Sequence, residues 1–356
     1  MKNSVLGAVV VVAATVFGAG SALAVYNTNS TSTGSSTVVA ASGPSTVNVI
    51  TGGTFSTSGG GVTGSWTKTG ALPGSTQTAK RAGGAGFADS GTGASAGNGE
   101  QRFGVWSNFA GTGFNEDQSA IQSSGQIYTF MLGGDYKFNN WVIAGLSAGY
   151  ERQSIDTQFN NGTWDANGAV VSPYVVVQLI PKQLFFSGSV GYVGNSIDLT
   201  RNNGAITGDT SGNRYFTSGT LMGNLDYGKF NIRPQIGAMY MKQDIDGYTE
   251  TGTGATTAPE TTVHFGRFTV GSQVGYNIGN VQPYALAAYQ YDFKYDVPTV
   301  GAGQVQPTAY KNSALVGGGL LFVLSQRFSG GLQFASEVGK TDYISYTGQG
   351  TIRYEF

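Results

Sequence analysis

From about Gln101 to Phe356 apolar and polar residues alternate with a period of two, in runs of ten or more residues parted by polar or glycine-rich breaks. The last run is the clearest. Ile344, Tyr346, Gly348, Gly350, Ile352, Tyr354 and Phe356 share one face, and Ser345, Thr347, Gln349, Thr351, Arg353 and Glu355 share the other, because successive strand side chains point to opposite sides. Tyr128, Phe130, Leu132, Gly134, Tyr136 and Phe138 divide in the same way from Thr129, Asp135 and Lys137. So do Tyr215, Leu221, Leu225 and Tyr227 from Ser218, Thr220, Asn224 and Asp226. The runs predict about twelve strands, near 101–110, 126–138, 141–151, 166–179, 183–196, 213–227, 230–243, 263–278, 281–295, 309–324, 327–339 and 342–356. A soluble β-sandwich also alternates, but its strands are about half this length.

The breaks alternate in length. Tight ones fall at Asn139-Asn140, Pro181-Lys182, Gly228-Lys229, Gly279-Asn280 and Ser325-Gln326; long polar ones fall around 111–125, 152–165, 197–212, 244–262 and 296–308. Bacterial outer-membrane barrels have even strand numbers, short periplasmic turns and longer external loops. The pattern therefore predicts an all-β fold, an antiparallel transmembrane β-barrel of about twelve strands, with the tight turns and both barrel ends in the periplasm. The short break at Lys340-Thr341 is the exception. Closure is required because an open sheet edge leaves backbone groups unpaired in lipid.

The residues ahead of the barrel differ. Met1 to Ala24 have the form of a signal peptide, with a polar start, a largely apolar run from Val5 to Phe17 and a small-x-small Ala22-Leu23-Ala24. No later stretch offers about 20 continuous apolar residues, so a membrane must be crossed with strands. Residues 25–100 are rich in Ser, Thr, Gly and Ala and poor in large apolar residues, so a largely flexible passenger or linker is expected there. The division is thus 1–24 signal peptide, 25–100 exported segment and 101–356 barrel.

Composition narrows the chemistry. There is no cysteine, and 19 basic residues face 20 acidic ones, which gives no support to redox chemistry or a nucleic-acid partner. Glycine at 57 with Phe 20, Tyr 19 and Trp 4 suits closely packed strands whose outer face meets lipid and headgroups. The alternation assigns Arg102, Asp135, Lys137, Asp226, Arg233, Arg267, Lys294, Glu337, Arg353 and Glu355 to the lumen. Their mixed signs predict pairing across it, unlike the single-sign ring of a selective pore. His264 is the sole histidine. Glycine stands two residues after it, where an outer-membrane hydrolase would need a nucleophile, so a rim residue is the better reading. Asp244, Asp246 and Glu250 offer hard oxygen ligands but lack the spacing of a calcium loop. Neither an enzyme nor a cofactor is expected.

Leu132-Gly133-Gly134-Asp135-Tyr136-Lys137 running into Asn140-Trp141-Val142-Ile143-Ala144-Gly145 resembles the second hairpin of the type V autotransporter β-domain. Ser172-Pro173-Tyr174, Arg233-Pro234-Gln235 and Gln282-Pro283-Tyr284 are similar to that family's strand starts, and Thr351 to Phe356 to its aromatic C-terminal signature. The resemblance implies an outer-membrane barrel that anchors and exports an N-terminal segment, and a monomer is expected. It also implies Tyr354 and Phe356 as an assembly signal, and outer-membrane lipid, the barrel-assembly machinery and periplasmic chaperones as partners. It further implies a helix in the lumen. Glycines at 83, 84, 86, 91, 93, 97 and 99 argue against a stable helix at 80–100, since each costs about 0.5–1 kcal/mol relative to alanine. The alternative is a small porin-like or structural barrel.

Overall fold

A computed structural model describes residues 102–118, 121–139, 141–181, 183–296, 310–325 and 327–356. The expected signal peptide and the 25–100 segment lie outside the described residues. The strands are β1 (Phe103–Glu116), β2 (Ser123–Lys137), β3 (Val142–Thr157), β4 (Gly162–Ile180), β5 (Leu184–Arg201) and β6 (Ile206–Gly223). Short β7 (Leu225–Tyr227) continues β6 beyond Asn224, and β8 (Phe230–Ile245) follows. After β9 (Tyr248–Thr249), β10 (Thr251–Gly252) and β11 (Thr257–Ala258) come β12 (Thr261–Tyr276), β13 (Val281–Tyr295), β14 (Asn312–Val323), β15 (Phe328–Lys340) and β16 (Tyr343–Glu355).

Twelve of these are long, and each pairs antiparallel with its neighbours in the chain, β6 with β8 included. The ring closes where β1 pairs with β16, from Gly104 opposite Glu355 to Glu116 opposite Tyr343. The entry at Phe103 and the end at Phe356 lie together at one mouth, called here the near end, with the tight turns. Gly228 and Gly279 turn there with positive φ, 62° and 59°, a conformation that glycine adopts without a Cβ clash.

The outer surface is banded. Phe138, Trp141, Tyr227, Phe230 and Phe356 are exposed at the near end; Tyr128, Tyr150, Tyr192, Tyr215, Tyr240 and Tyr289 form a second exposed belt higher up. Trp141 to Tyr150 is nine residue steps, about 30 Å along a strand at about 3.3 Å each. A tilt of about 40° reduces that to about 23 Å, the height of a barrel's lipid-facing band. The upper tyrosines point their hydroxyls at polar side chains: Tyr150 donates to Asn167 Oδ1 at 2.6 Å and Tyr192 to Asn213 Oδ1 at 2.5 Å. That is the arrangement of amphipathic rings at a membrane–water boundary.

Three expected long breaks are corrected. Residues 111–125, 152–165 and 197–212 are mostly strand, and only 117–122, 158–161 and 202–205 lie between strands. The alternation reverses its sense above the tyrosine belt: Ser154, Asp156, Asp165, Asp198 and Asp209 face outward while Ile155, Trp164, Ile197 and Leu199 are buried inside. Water rather than lipid bathes the outer face there, and a strand with a polar outer face resembles a loop in sequence.

Candidate functional site: the barrel lumen

The near half of the lumen is held by a relay from four strands. Trp106 Nε1 donates to Tyr174 Oη at 2.6 Å, Tyr174 donates to Asp135 Oδ2 at 2.8 Å, and Arg353 grips Asp135 with both terminal nitrogens at 2.6 Å. Glycines make room for these groups. A Cβ at Gly133 would lie 2.2 Å from the Trp106 indole, and one at Gly104 2.1 Å from the Arg353 guanidinium. The Gly-Gly-Asp of the second hairpin thus serves both as socket and as anion.

On the opposite wall Arg267 binds Asp292 at 2.5 and 2.9 Å and Glu337 at 2.8 and 2.9 Å. Lys340 reaches Asp292 at 3.0 Å and Glu337 at 2.9 Å, and Ser313 donates to Glu337 at 2.8 Å. Two cations and two anions leave the cluster neutral, and bidentate geometry offsets the cost of burial. A third chord joins Arg214 to Glu151 at 3.0 Å and to Gln243 at 3.0 Å. Between the charges, Trp106, Met131, Tyr174, Val193, Phe216, Met241 and Phe265 belong to one buried apolar cluster. The interior is therefore a lined, charge-compensated wall.

Of the residues assigned inward from sequence, Asp135, Lys137, Arg233, Arg267, Glu337 and Arg353 are buried on the lumen face. Arg233 donates to Gln282 Oε1 at 2.6 Å. Glu355 is half-buried and accepts from Arg353 Nε at 2.8 Å. Asp226 and Arg102 are exposed at the near rim, where Asp226 accepts from Asn231 Nδ2 at 2.8 Å and the Arg102 carbonyl accepts from the Lys137 N–H at 2.8 Å. Tyr354 and Phe356 are exposed on the outside at the seam. Lys294 is a correction: it faces outward, with 45% of its side chain exposed, and pairs with Asp296 at 2.5 Å. A bulge gives β13 one extra residue, so Arg267 stands opposite Asp292 but Gly266 opposite Lys294. One inserted residue exchanges the two faces.

Strand parity alone points Glu151, Arg214 and Asp292 inward, so these partners were within reach of the sequence. Lys340 was not. A shift in β15 pairs Glu337 with Ser345 but Lys340 with Tyr343, and Gly339 takes φ +87° in between, which turns the lysine into the lumen.

His264 lies on the outer surface. Its Nδ1 is 2.6 Å from Asp296 Oδ2, and Thr262 donates instead to Asp244 at 2.6 Å. Burial opposes ionisation of Asp296, yet hydrogen bonds from Lys294 and His264 outweigh it and hold the carboxyl below its usual range. Asp244 pairs with Lys242, Asp246 accepts from Ser211 and Glu250 pairs with Arg201. Among the described residues no three acidic, histidine or cysteine groups converge on a metal site.

A closed twelve-strand barrel with an apolar band between aromatic belts and a polar, ion-paired interior defines a transmembrane β-barrel. The Autotransporter beta-domain profile matches residues 105–335, and the chain belongs to that family, whose barrels lie in the outer membrane. Among solved structures it is similar to the translocator domain of the autotransporter NalP from Neisseria meningitidis. That match has a TM-score of 0.61 and 14% identity, over 72% of this chain and 89% of that one. The transport unit of AIDA-I from Escherichia coli matches with a TM-score of 0.57 and 16% identity, over 74% and 93%. In sequence, 170 residues are 27% identical to Esterase EstA of Pseudomonas aeruginosa, 44% of this chain and 26% of the esterase. The match thus spans about a quarter of that relative.

Proposed function

We propose that this barrel anchors the residues preceding it in the outer membrane and exports them through its lumen, from a periplasmic near end to a far end at the cell surface. The observation that carries this reading is the place of Phe103: β1 begins at the near mouth, beside Phe356, so the chain ahead of it meets the lumen entrance. The partners inferred are outer-membrane lipid, the assembly machinery and periplasmic chaperones, and the barrel acts as a monomer without catalysis of its own. Protease added to intact cells is expected to remove an epitope placed near Trp66. Full protection of that epitope in an assembled barrel refutes export.

A further inference from the structure

On the outer face, just beyond the upper tyrosine belt, the cations are not alike. Lys242, two residues past Tyr240, bonds to Asp244 at 2.7 Å, and Lys294 bonds to Asp296 at 2.5 Å. Arg152, two residues past Tyr150 on β3, is exposed and has no hydrogen bond or ion pair among the described residues. In register it stands between Tyr128 of β2 and Asn167 of β4. Asp165, one pleat step further on, faces Ser154 and accepts from its Oγ at 2.7 Å. Arg152 therefore keeps a full charge at the level where lipid gives way to water.

The groups beside it are donors as well. Tyr128 donates to Gln126 Oε1 at 2.5 Å, and Tyr150 donates to Asn167 Oδ1 at 2.6 Å. Each hydroxyl occupies an amide oxygen, which leaves Gln126 Nε2 and Asn167 Nδ2 to offer hydrogens next to the guanidinium. Toward the near end the surface turns apolar. Ala148 lies in register between Leu132 and Val171, and Ala169 lies beside Tyr150. These two small side chains leave a strip lower than the exposed Leu132, Leu146 and Val171 around it. A cluster of donors at the boundary thus stands directly above a shallow apolar strip.

We propose that Arg152, Gln126 and Asn167 bind the phosphate of a phosphorylated lipid in the far leaflet, whose acyl chain lies along Ala148 and Ala169. The planar guanidinium matches two phosphate oxygens at once, and the flanking amides meet the others. Lys242 and Lys294 are poorer sites because their own acids already neutralise them. With the far end at the cell surface, as the function proposed above has it, this leaflet is the outer one; binding of the lipid does not depend on export.

The full chain, purified in a non-ionic detergent, is titrated with bis-phosphorylated lipid A and, separately, with the same lipid stripped of phosphate, and bound lipid is counted by native mass spectrometry. One phosphorylated lipid is expected to bind at least about tenfold more tightly than the stripped form, since hydrogen bonds to a charged group are worth that factor or more. R152Q should lose this margin. N167D should lose it too, because it keeps the oxygen that Tyr150 uses while setting a carboxylate beside Arg152. K242Q should keep it. Heat-modifiable migration shows that each variant is a folded barrel. Equal affinity for the two lipids, parental binding by R152Q or N167D, or loss of the margin in K242Q overturns the proposal. So does displacement of the lipid by an equimolar amount of inorganic phosphate, which would mean a site for free anions. All these outcomes are independent of whether the epitope near Trp66 reaches the surface.

Discussion

Phe103 and Phe356 hydrogen-bond to each other in both directions, N–H to carbonyl at 3.2 and 3.0 Å, and their rings stack with centroids 6.1 Å apart. This pair is the last rung of the β1–β16 seam, where the two ends of the barrel domain meet. Tyr354 lies tilted against Phe356 at 6.0 Å on the same outer face, so the expected assembly residues stand at the junction that closes the ring.

Replacing Phe356 with Asp removes the stack and puts a charge at the near-end membrane boundary. Together these cost about 1–2 kcal/mol. The fraction of protein showing heat-modifiable migration should fall, whereas F356Y should keep it. Unchanged migration of F356D would refute the role of this rung in closure.

Arg353→Ala strands the Asp135 carboxylate in the lumen wall with its charge-assisted partner gone and only the Tyr174 hydroxyl left on it. A loss of about 3–5 kcal/mol is expected in urea unfolding of the lipid-inserted barrel. The double variant D135N/R353A should recover part of it, because no uncompensated carboxylate remains. Additive losses would contradict the relay.

Lys294 and Lys340 make a matched pair of tests. Lys294→Ala, on the outer surface, should change stability by no more than about 0.5 kcal/mol. Lys340, with only 3% of its side chain exposed, leaves Asp292 and Glu337 sharing Arg267 alone, and its loss should cost several times as much. Equal effects would mean that the bulges do not set the two faces as described.

The Arg201–Glu250 ion pair, which ties the tip of the β8–β12 hairpin to the end of β5, should tolerate acid. Hydrogen bonds from Arg201, more than opposing burial, hold the Glu250 carboxyl below the ordinary glutamate range. A depressed folded-state value gives stability that is full above the unfolded value of about 4.3 and is lost as pH falls through the folded one. A single thiol introduced as L199C, in the inner cluster against which Tyr248 of that hairpin packs, should therefore stay protected on acidification to about pH 4.3 and lose protection only below it, measured with a pH-insensitive thiol probe. Loss of protection between neutral pH and that value would rule out this pair as the group that holds the hairpin tip.

The sequence by itself determined the barrel. Its period of two, the long runs and the alternating breaks specify strand number, order and the face of nearly every side chain, because adjacent pleat positions must meet different solvents. The family resemblance at Leu132 to Gly145 fell on a real feature, the glycine sockets and anion around Trp106 and Arg353. Three things were left to the tertiary structure. Where the strands outrun the lipid, the apolar face turns inward, so the runs near 152–165 and 197–212 looked like loops. Two bulges, beside Arg267 and at Gly339, each shift one strand by a residue, sending Lys294 out and Lys340 in against simple alternation. The Arg201–Glu250 pair joins residues 49 apart in sequence with no periodic signal, since it depends on β10 extending along the end of β6. Period fixes faces locally, whereas bulges and loop docking depend on contacts between segments that meet only when the ring closes.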